Sequence, residues 1–412
     1  MVMIVPFRAL RPKKEYAPLV ASLPYDVVDT GEAREIIRKN PLSFLRVEKS
    51  EADFPRDFLP QGKKIYERAR QNLEELMRKG ILLQDAQPHF YIYAQGKDGC
   101  RQYGIVGCVS VEDYEEERIK KHELTRNDKE KDRILHVDNV NAHTGPVFIT
   151  YRAKGEIDHL VDSVTTAPPL YDFTTDDGIT HTVWQIIDSK KEETLKAHFA
   201  DIDRLYIADG HHRAAAAAAV AKMRRRGNPS RKDRESEFML AVLFPHHQMR
   251  ILPYHRLVRD LAGLKEEEFL LACTEKFDLS PAGEKKLPTK EHELGMFLQG
   301  KWYRLKAKES LLDKVDCVQR LDVSLLQEHL LGPILKITDP RTDSRIAFVG
   351  GSHGIEELER KVQGGDFAVA FSLYPVTVEQ LMEIADAGKI MPPKSTWFEP
   401  KLRSGLFVHL LE

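Results

Sequence analysis

A chain of 412 residues, 42% hydrophobic and 31% charged, is long enough for two or three domains and too apolar to be disordered. Its formal net charge of −2 gives no global field for nucleic acid or an anionic membrane, and no run of about 18 apolar residues could span one. Four cysteines, Cys100, Cys108, Cys273 and Cys317, have no Cys-x-x-Cys spacing and fit a reducing cytoplasm better than a disulfide framework.

Residues 1–88 read as an α/β support region. A strand is expected over Met3 to Phe7, a helix from Asp29 or Thr30 to Lys39, and a longer helix from Gly62 to Lys79. The longer helix has apolar residues at Ile65, Ala69, Leu73, Leu76 and Met77 in 3.6-residue spacing, and Gly80 stops it. In the loop Leu23-Pro24-Tyr25-Asp26-Val27 the prolyl ring fixes the approach to a turn. Tyr25 and Asp26 are therefore candidates for the rim of a site, against the plainer role of Asp26 as a turn-former.

Residues 89–260 carry the chemistry. Phe90 to Gln95 and Tyr103 to Val111, joined by a Gly/Asp turn, read as a hairpin. The segment Asp113 to Arg133 that follows is the most charged in the chain. As structure it would be a solvated helix laced by pairs such as Arg126 with Glu130. Beyond Ile119, Leu124 and Ile134, however, little anchors it, so His122, Glu123, Thr125, Arg126, Lys129 and Arg133 are expected to fold over a ligand cleft. Strands at Pro146 to Arg152 and Thr182 to Ile187 flank an acidic loop, Asp172 to Gly178, and a helix from Lys190 to Phe199 leads into the central stretch.

That stretch is Leu205-Tyr206-Ile207-Ala208-Asp209-Gly210-His211-His212-Arg213, followed by six alanines. It reads as a buried strand, a turn at Asp209-Gly210 and a helix from Arg213 to Arg226. Unpaired amides and the positive end of the helix dipole make such a junction an anion site. His211, His212 and Arg213 would add cationic groups to it, and Asp209 a carboxylate. The plain alternative, an Asp-capped turn with two surface histidines, leaves three basic groups unexplained at the wrong end of a dipole. The strand Phe238 to Phe244 completes a strand-helix-strand unit with the motif at a strand's carboxyl end, where ligands of α/β sheets gather. Neither His246-His247 nor His255 shows His-x-x-x-His or a cysteine partner at ligand spacing. No metal site built by the protein alone is expected, and Mg²⁺ would be held through phosphates with Asp209 available to it.

Residues 261–412 alternate helices and strands. Gly350-Gly351-Ser352 lacks the lysine of a phosphate loop. In Pro392-Pro393-Lys394-Ser395-Thr396-Trp397-Phe398, the residues Lys394, Ser395 and Trp397 would serve as a lid or rim contact, or the loop is a structural plug.

Asp209 to Arg213 with its small-residue helix resembles the phosphate-binding motif of the ParB/sulfiredoxin-like superfamily, in the form found in archaeal free serine kinases. With Leu23 to Val27, His122 to Arg126, Lys129 to Arg133 and Pro393 to Phe398, the chain is identified as a member of the family of domain of unknown function 1015, labelled ParB-related. The resemblance implies a mixed α/β (α+β) fold: a ParB/sulfiredoxin-like core with a mixed sheet and an additional C-terminal α/β domain. It implies ATP, ADP or another phosphoryl donor, with Mg²⁺, and a kinase acting on a small hydroxyl compound such as free L-serine. A ParB-like nucleotide switch without phosphotransfer is the alternative. The charged segment resembles the ParB Glu-Asn-Ile-Gln-Arg region, although here it precedes the phosphate motif. Sulfiredoxin chemistry needs a cysteine where His211 stands and is excluded. The neutral chain lacks a helix-turn-helix, which argues against DNA. Glu123 is the expected general base. Asp209 beside His211, His212 and Arg213 is expected to be a poor base and a good metal or substrate contact.

Overall fold

Runs of β-branched and aromatic residues build a mixed nine-stranded sheet in the computed structural model, which describes residues 1–55, 62–227, 235–283, 286–313 and 315–411. Its strands are β1 (Ile4–Val5), β2 (Phe90–Lys97), β3 (Cys100–Ser110), β4 (Ile119–Lys120), β5 (Val147–Tyr151), β6 (Tyr171–Thr174), β7 (Thr180–Ile186), β8 (Leu205–Asp209) and β9 (Phe238–Pro245). They lie in the order β4-β8-β5-β9-β3-β2-β7-β6, with β1 on β3. The pairs β4/β8 and β5/β9 are parallel and the others antiparallel. The β2–β3 hairpin turns through Asp98 and Gly99, at φ +51° and +79°, as the Gly/Asp turn requires.

The helices that matter to the site are α1 (Leu45–Glu48), α2 (Lys64–Arg78), α3 (Asn127–Val140) and α4 (His211–Gly227). Two more, Gly155–Thr165 and Ser189–Ala200, bury Ile157, Leu160, Val161, Leu195 and Phe199 in the same core as Ala214, Ala217, Ala218 and Ala221 of α4. Methyl side chains let α4 lie close to its neighbours, and α3 runs along it with Val137, Val220 and Leu411 in contact. α2 buries Ala69, Leu73 and Leu76 as its periodicity predicts, whereas Met77 is 36% exposed. These side chains join Phe44, Val47, Val140 and Val408, so the N-terminal helices and the chain's last residues share one core.

The chain forms two units, Met1–Met249 with Pro400–Glu412 and, inserted between them, Arg250–Glu399. The second unit holds β10 (Tyr254–Val258), β11 (Phe277–Pro281), β12 (Glu293–Leu298), β13 (Lys301–Ala307), β14 (Ile346–Gly350) and β15 (Val369–Leu373), an antiparallel sheet in the order β11-β13-β12-β15-β10-β14. The single strand expected over Ile251 to Val258 is broken at Pro253, which has no N–H to give a ladder. Arg250–Leu252 pairs with Trp397–Glu399 instead, and only Tyr254–Val258 joins the sheet. Among the described residues no helix is long and apolar enough to cross a membrane.

Candidate functional site

β8 delivers the central motif through two local devices. Its ladder with β5 shifts between Ile207 and Asp209, leaving Ala208 as an extra residue, and a bulge of this kind re-aims the side chain that follows. Gly210 then takes φ +91°. A Cβ there would approach the Val147 Cα only to 3.6 Å, so backbone conformation, not space, calls for glycine. The Gly210 carbonyl accepts from the amides of Arg213 and Ala214, at 2.9 and 3.0 Å. α4 thus begins two residues before the expected Arg213, with His211 and His212 in its first turn.

The charges around this turn come largely from elsewhere in the chain. Asp209 accepts from the Gly210 amide at 2.8 Å and from Lys401 Nζ at 2.7 Å. Burial works to raise its pKa, but Lys401 first, then Arg213 and the Gly210 N–H, hold it well below the usual carboxylate range. The expected direction is correct, and its cause is Lys401 and Arg213, not the histidines. The Arg213 guanidinium donates to the Pro146 carbonyl at 2.9 Å, stands 3.9 Å from Asp26 and lies 5.6 Å from the Tyr25 ring centroid. Arg133 covers the same ring at 3.9 Å and pairs with Asp132 at 2.7 Å and with the buried Glu48 at 3.4 Å. Burial favours a neutral Glu48, yet His136, Arg133 and Arg213 outweigh it and hold the carboxyl below its ordinary value. A cavity of about 20 Å³ lies among Glu48, Arg133, His136, Thr144, Gly145 and Arg213, room for about one water.

The histidines do not supply cations as expected. His211 is 7% exposed and His122 2% exposed, and their rings meet edge to face at 4.5 Å. Burial pushes the His122 pKa down to about 4 and that of His211 well below its ordinary value, while His212 is lowered for the same reason. The permanent cations that hold Asp209 at the helix start are Lys401 and Arg213. Ligand atoms of His122, Glu123 and His211 all lie within 4.8 Å of one another. Spacing along the sequence gives no sign of this cluster. The parallel pairing of Ile119 with Leu205 and Lys120 with Tyr206 brings the ends of β4 and β8 together.

The charged segment thus divides. His122, Glu123 and Arg133 come to the central motif or its neighbours, with Tyr25 and Asp26 beside Arg213. Thr125 bonds Glu130, Arg126 is exposed and paired with Asp128, and Lys129 is exposed. In the second unit the Lys394 ammonium lies 5.4 Å from the Tyr254 ring centroid, Ser395 is buried and donates to the Pro392 carbonyl, and the Trp397 indole donates to Glu399 at 2.9 Å. Sequence reasoning missed Lys401, Glu48, His136 and Thr144. None sits in a motif, and only tertiary contact brings them in.

The chain belongs to the DUF1015 family of proteins of unknown function, whose model matches residues 4–324. Among solved structures, a mutant free serine kinase in complex with AMP is similar at 12% identity and a TM-score of 0.40, covering 74% of this chain and 92% of that one. A mutant of that kinase in complex with ADP is similar at 13% identity and 0.38, covering 74% and 92%. C-terminally truncated SbnI from Staphylococcus aureus is similar at 11% identity and 0.40, covering 74% and 87%. No curated protein sequence matches the chain.

Proposed function

We propose that this DUF1015 protein binds a nucleotide or polyphosphate where β8 meets α4 and transfers a phosphoryl group to a small hydroxyl compound, free L-serine being the acceptor that its Asp-Gly-His-His-Arg motif suggests. The observation that carries the reading is the convergence of Asp209, Lys401 and Arg213 on the first turn of a 17-residue helix. The donor set fits a phosphate: the His211 and His212 amides, the positive end of the dipole, one ammonium and one guanidinium. A bound nucleotide with Mg²⁺ would supply the transferable phosphoryl group and most of the charge neutralisation.

The protein's part is positioning. Arg213, fixed by the Pro146 carbonyl and by Tyr25, holds its guanidinium at a set place with little entropy left to lose. Asp209 stays ionised beside Lys401, which makes it a poor proton acceptor and a good anionic contact for a phosphate-bound cation. Glu123 is then the carboxylate assigned to take the hydroxyl proton. Arg133 and Glu48 brace Tyr25 and Arg213 from behind.

The test is a thermal-shift series with ATP, ADP and pyrophosphate plus Mg²⁺, followed by turnover with serine. A ligand at a hundred times its Kd adds about 2.7 kcal/mol. Glu123→Gln should abolish transfer and spare binding, and Asp209→Asn should weaken Mg²⁺-dependent binding. Binding without transfer to any hydroxyl acceptor would replace the kinase with a nucleotide-gated switch, and no binding would end both readings.

A further inference from the structure

The histidine pair is an expensive arrangement unless something answers it. His122 and His211 are both at least nine-tenths buried. Nε2 of His211 lacks a hydrogen-bond partner, and the His122 ring has none beyond an interaction with the Ile207 backbone. A buried polar atom without a partner costs about 1–3 kcal/mol, so one such nitrogen on each ring, side by side, calls for a common partner. Glu123 brings an oxygen to the same place, with all three ligand atoms within 4.8 Å of each other.

We infer that His122, Glu123 and His211 form the three-ligand site of a divalent transition metal, zinc in the first instance. Two imidazoles and one carboxylate are the donor set of open zinc sites, which keep a fourth position for an oxygen ligand. Tetrahedral zinc places such donors about 3.3 Å apart, so the cluster needs a closure of at most about 1.5 Å by side-chain rotation. The backbone is already set. The β4/β8 pairing holds the segment carrying His122 against the strand that leads into His211, and the rings already touch. Each neutral imidazole has one N–H and one lone pair, so a metal would take the lone pair of each ring while the other nitrogen keeps its N–H, a fit that soft-to-borderline nitrogen donors offer a transition metal better than a hard cation.

With the metal in place Glu123 would be an anionic ligand and no longer the general base, and the open position would hold a water or hydroxyl oxygen, its pKa lowered by the metal, beside the first turn of α4. That the oxygen belongs to the phosphoryl acceptor rests on the phosphotransfer reading, but the metal site itself does not.

The test uses the full chain stripped with a chelator, dialysed, and titrated with Zn²⁺ against a chromophoric chelator without nucleotide. One equivalent should bind, and His122→Gln and His211→Gln should each weaken it at least tenfold, while exposed His159→Gln leaves it unchanged. Co²⁺ substituted into the unmutated protein needs no variant to fold. It should give the intense visible bands of a four-coordinate site. Absence of stoichiometric Zn²⁺, unaltered affinity in the double histidine variant, or the weak bands of six-coordinate Co²⁺ would each overturn the assignment. A pyrophosphate thermal shift on the same stripped protein separates the two ideas. A shift without metal binding removes only the metal, and metal binding without a shift removes only the phosphate site.

Discussion

Lys401→Met tests whether the central carboxylate depends on a residue far along the chain. The ammonium lies 2.7 Å from Asp209 Oδ2, and the two side chains are 12% and 34% exposed. Removing one member of a fully buried pair costs about 3–5 kcal/mol, because the other charge is left without compensation. Asp209 keeps a third of its side chain in water, which brings the expectation down to about 2–3 kcal/mol. Asp209→Asn removes the carboxylate facing Lys401 instead and should cost a similar amount. The double variant removes both charges together, so its loss should fall short of the sum by about 1–2 kcal/mol. Equilibrium urea denaturation of the four proteins at pH 7 reads this coupling. If the two single losses simply add, within about 0.3–0.5 kcal/mol, the pair does not hold the turn.

Gly210→Ala forces an L side chain to φ +91° with no steric clash, so it should cost about 1–2 kcal/mol from backbone alone, and an unchanged melting temperature would remove the conformational argument. Tyr25→Leu should lose about 1–2 kcal/mol by uncovering Arg133 and Arg213, while Tyr25→Phe should stay within about 0.5 kcal/mol. A phenylalanine as damaging as leucine would mean that the hydroxyl, not the ring face, matters. In the second unit, burial first of all pushes Asp322 up to about 7, with Glu291 and Glu293 adding to it against a hydrogen bond from the His292 amide. The folded state then holds a proton that the unfolded chain releases near pH 4, so stability falls as pH rises from about 4 to 7, by at most about 4 kcal/mol. Asp322→Asn should flatten that part of the stability-against-pH curve, and an identical slope in the variant would contradict it.

What the sequence made legible at the site was local. β8, the glycine turn and the alanine-rich helix follow from neighbouring residues, so Asp209 to Arg213 could be placed on a strand-to-helix junction directly. The start of α4 was misjudged by two residues because histidine is an indifferent helix former. At the first turn, however, amides need no intrahelical partner, and His211 and His212 are tolerated there. Reading those histidines as cations failed for a different reason: burial sets protonation, and burial is tertiary. The His122–Glu123–His211 cluster escaped because β4 has only two residues, Ile119 and Lys120, too few for a period, and its pairing with β8 spans some eighty positions. Glu48 resembles any surface glutamate of a short helix until Arg133, Arg213 and His136 surround it.

The insertion of Arg250–Glu399 into the first unit also imposes an order of events on synthesis. Asp209 leaves the ribosome 192 residues ahead of Lys401, a delay of roughly ten to forty seconds at about 5–20 residues per second. During that interval the strand, bulge and helix can form, but the carboxylate at their junction has no ammonium to meet it. Val408, which packs with Phe44 and Val140, arrives later still. The nascent first unit therefore waits for the inserted unit to be made, and a chain broken off within that unit carries Asp209 with Arg213 but without Lys401.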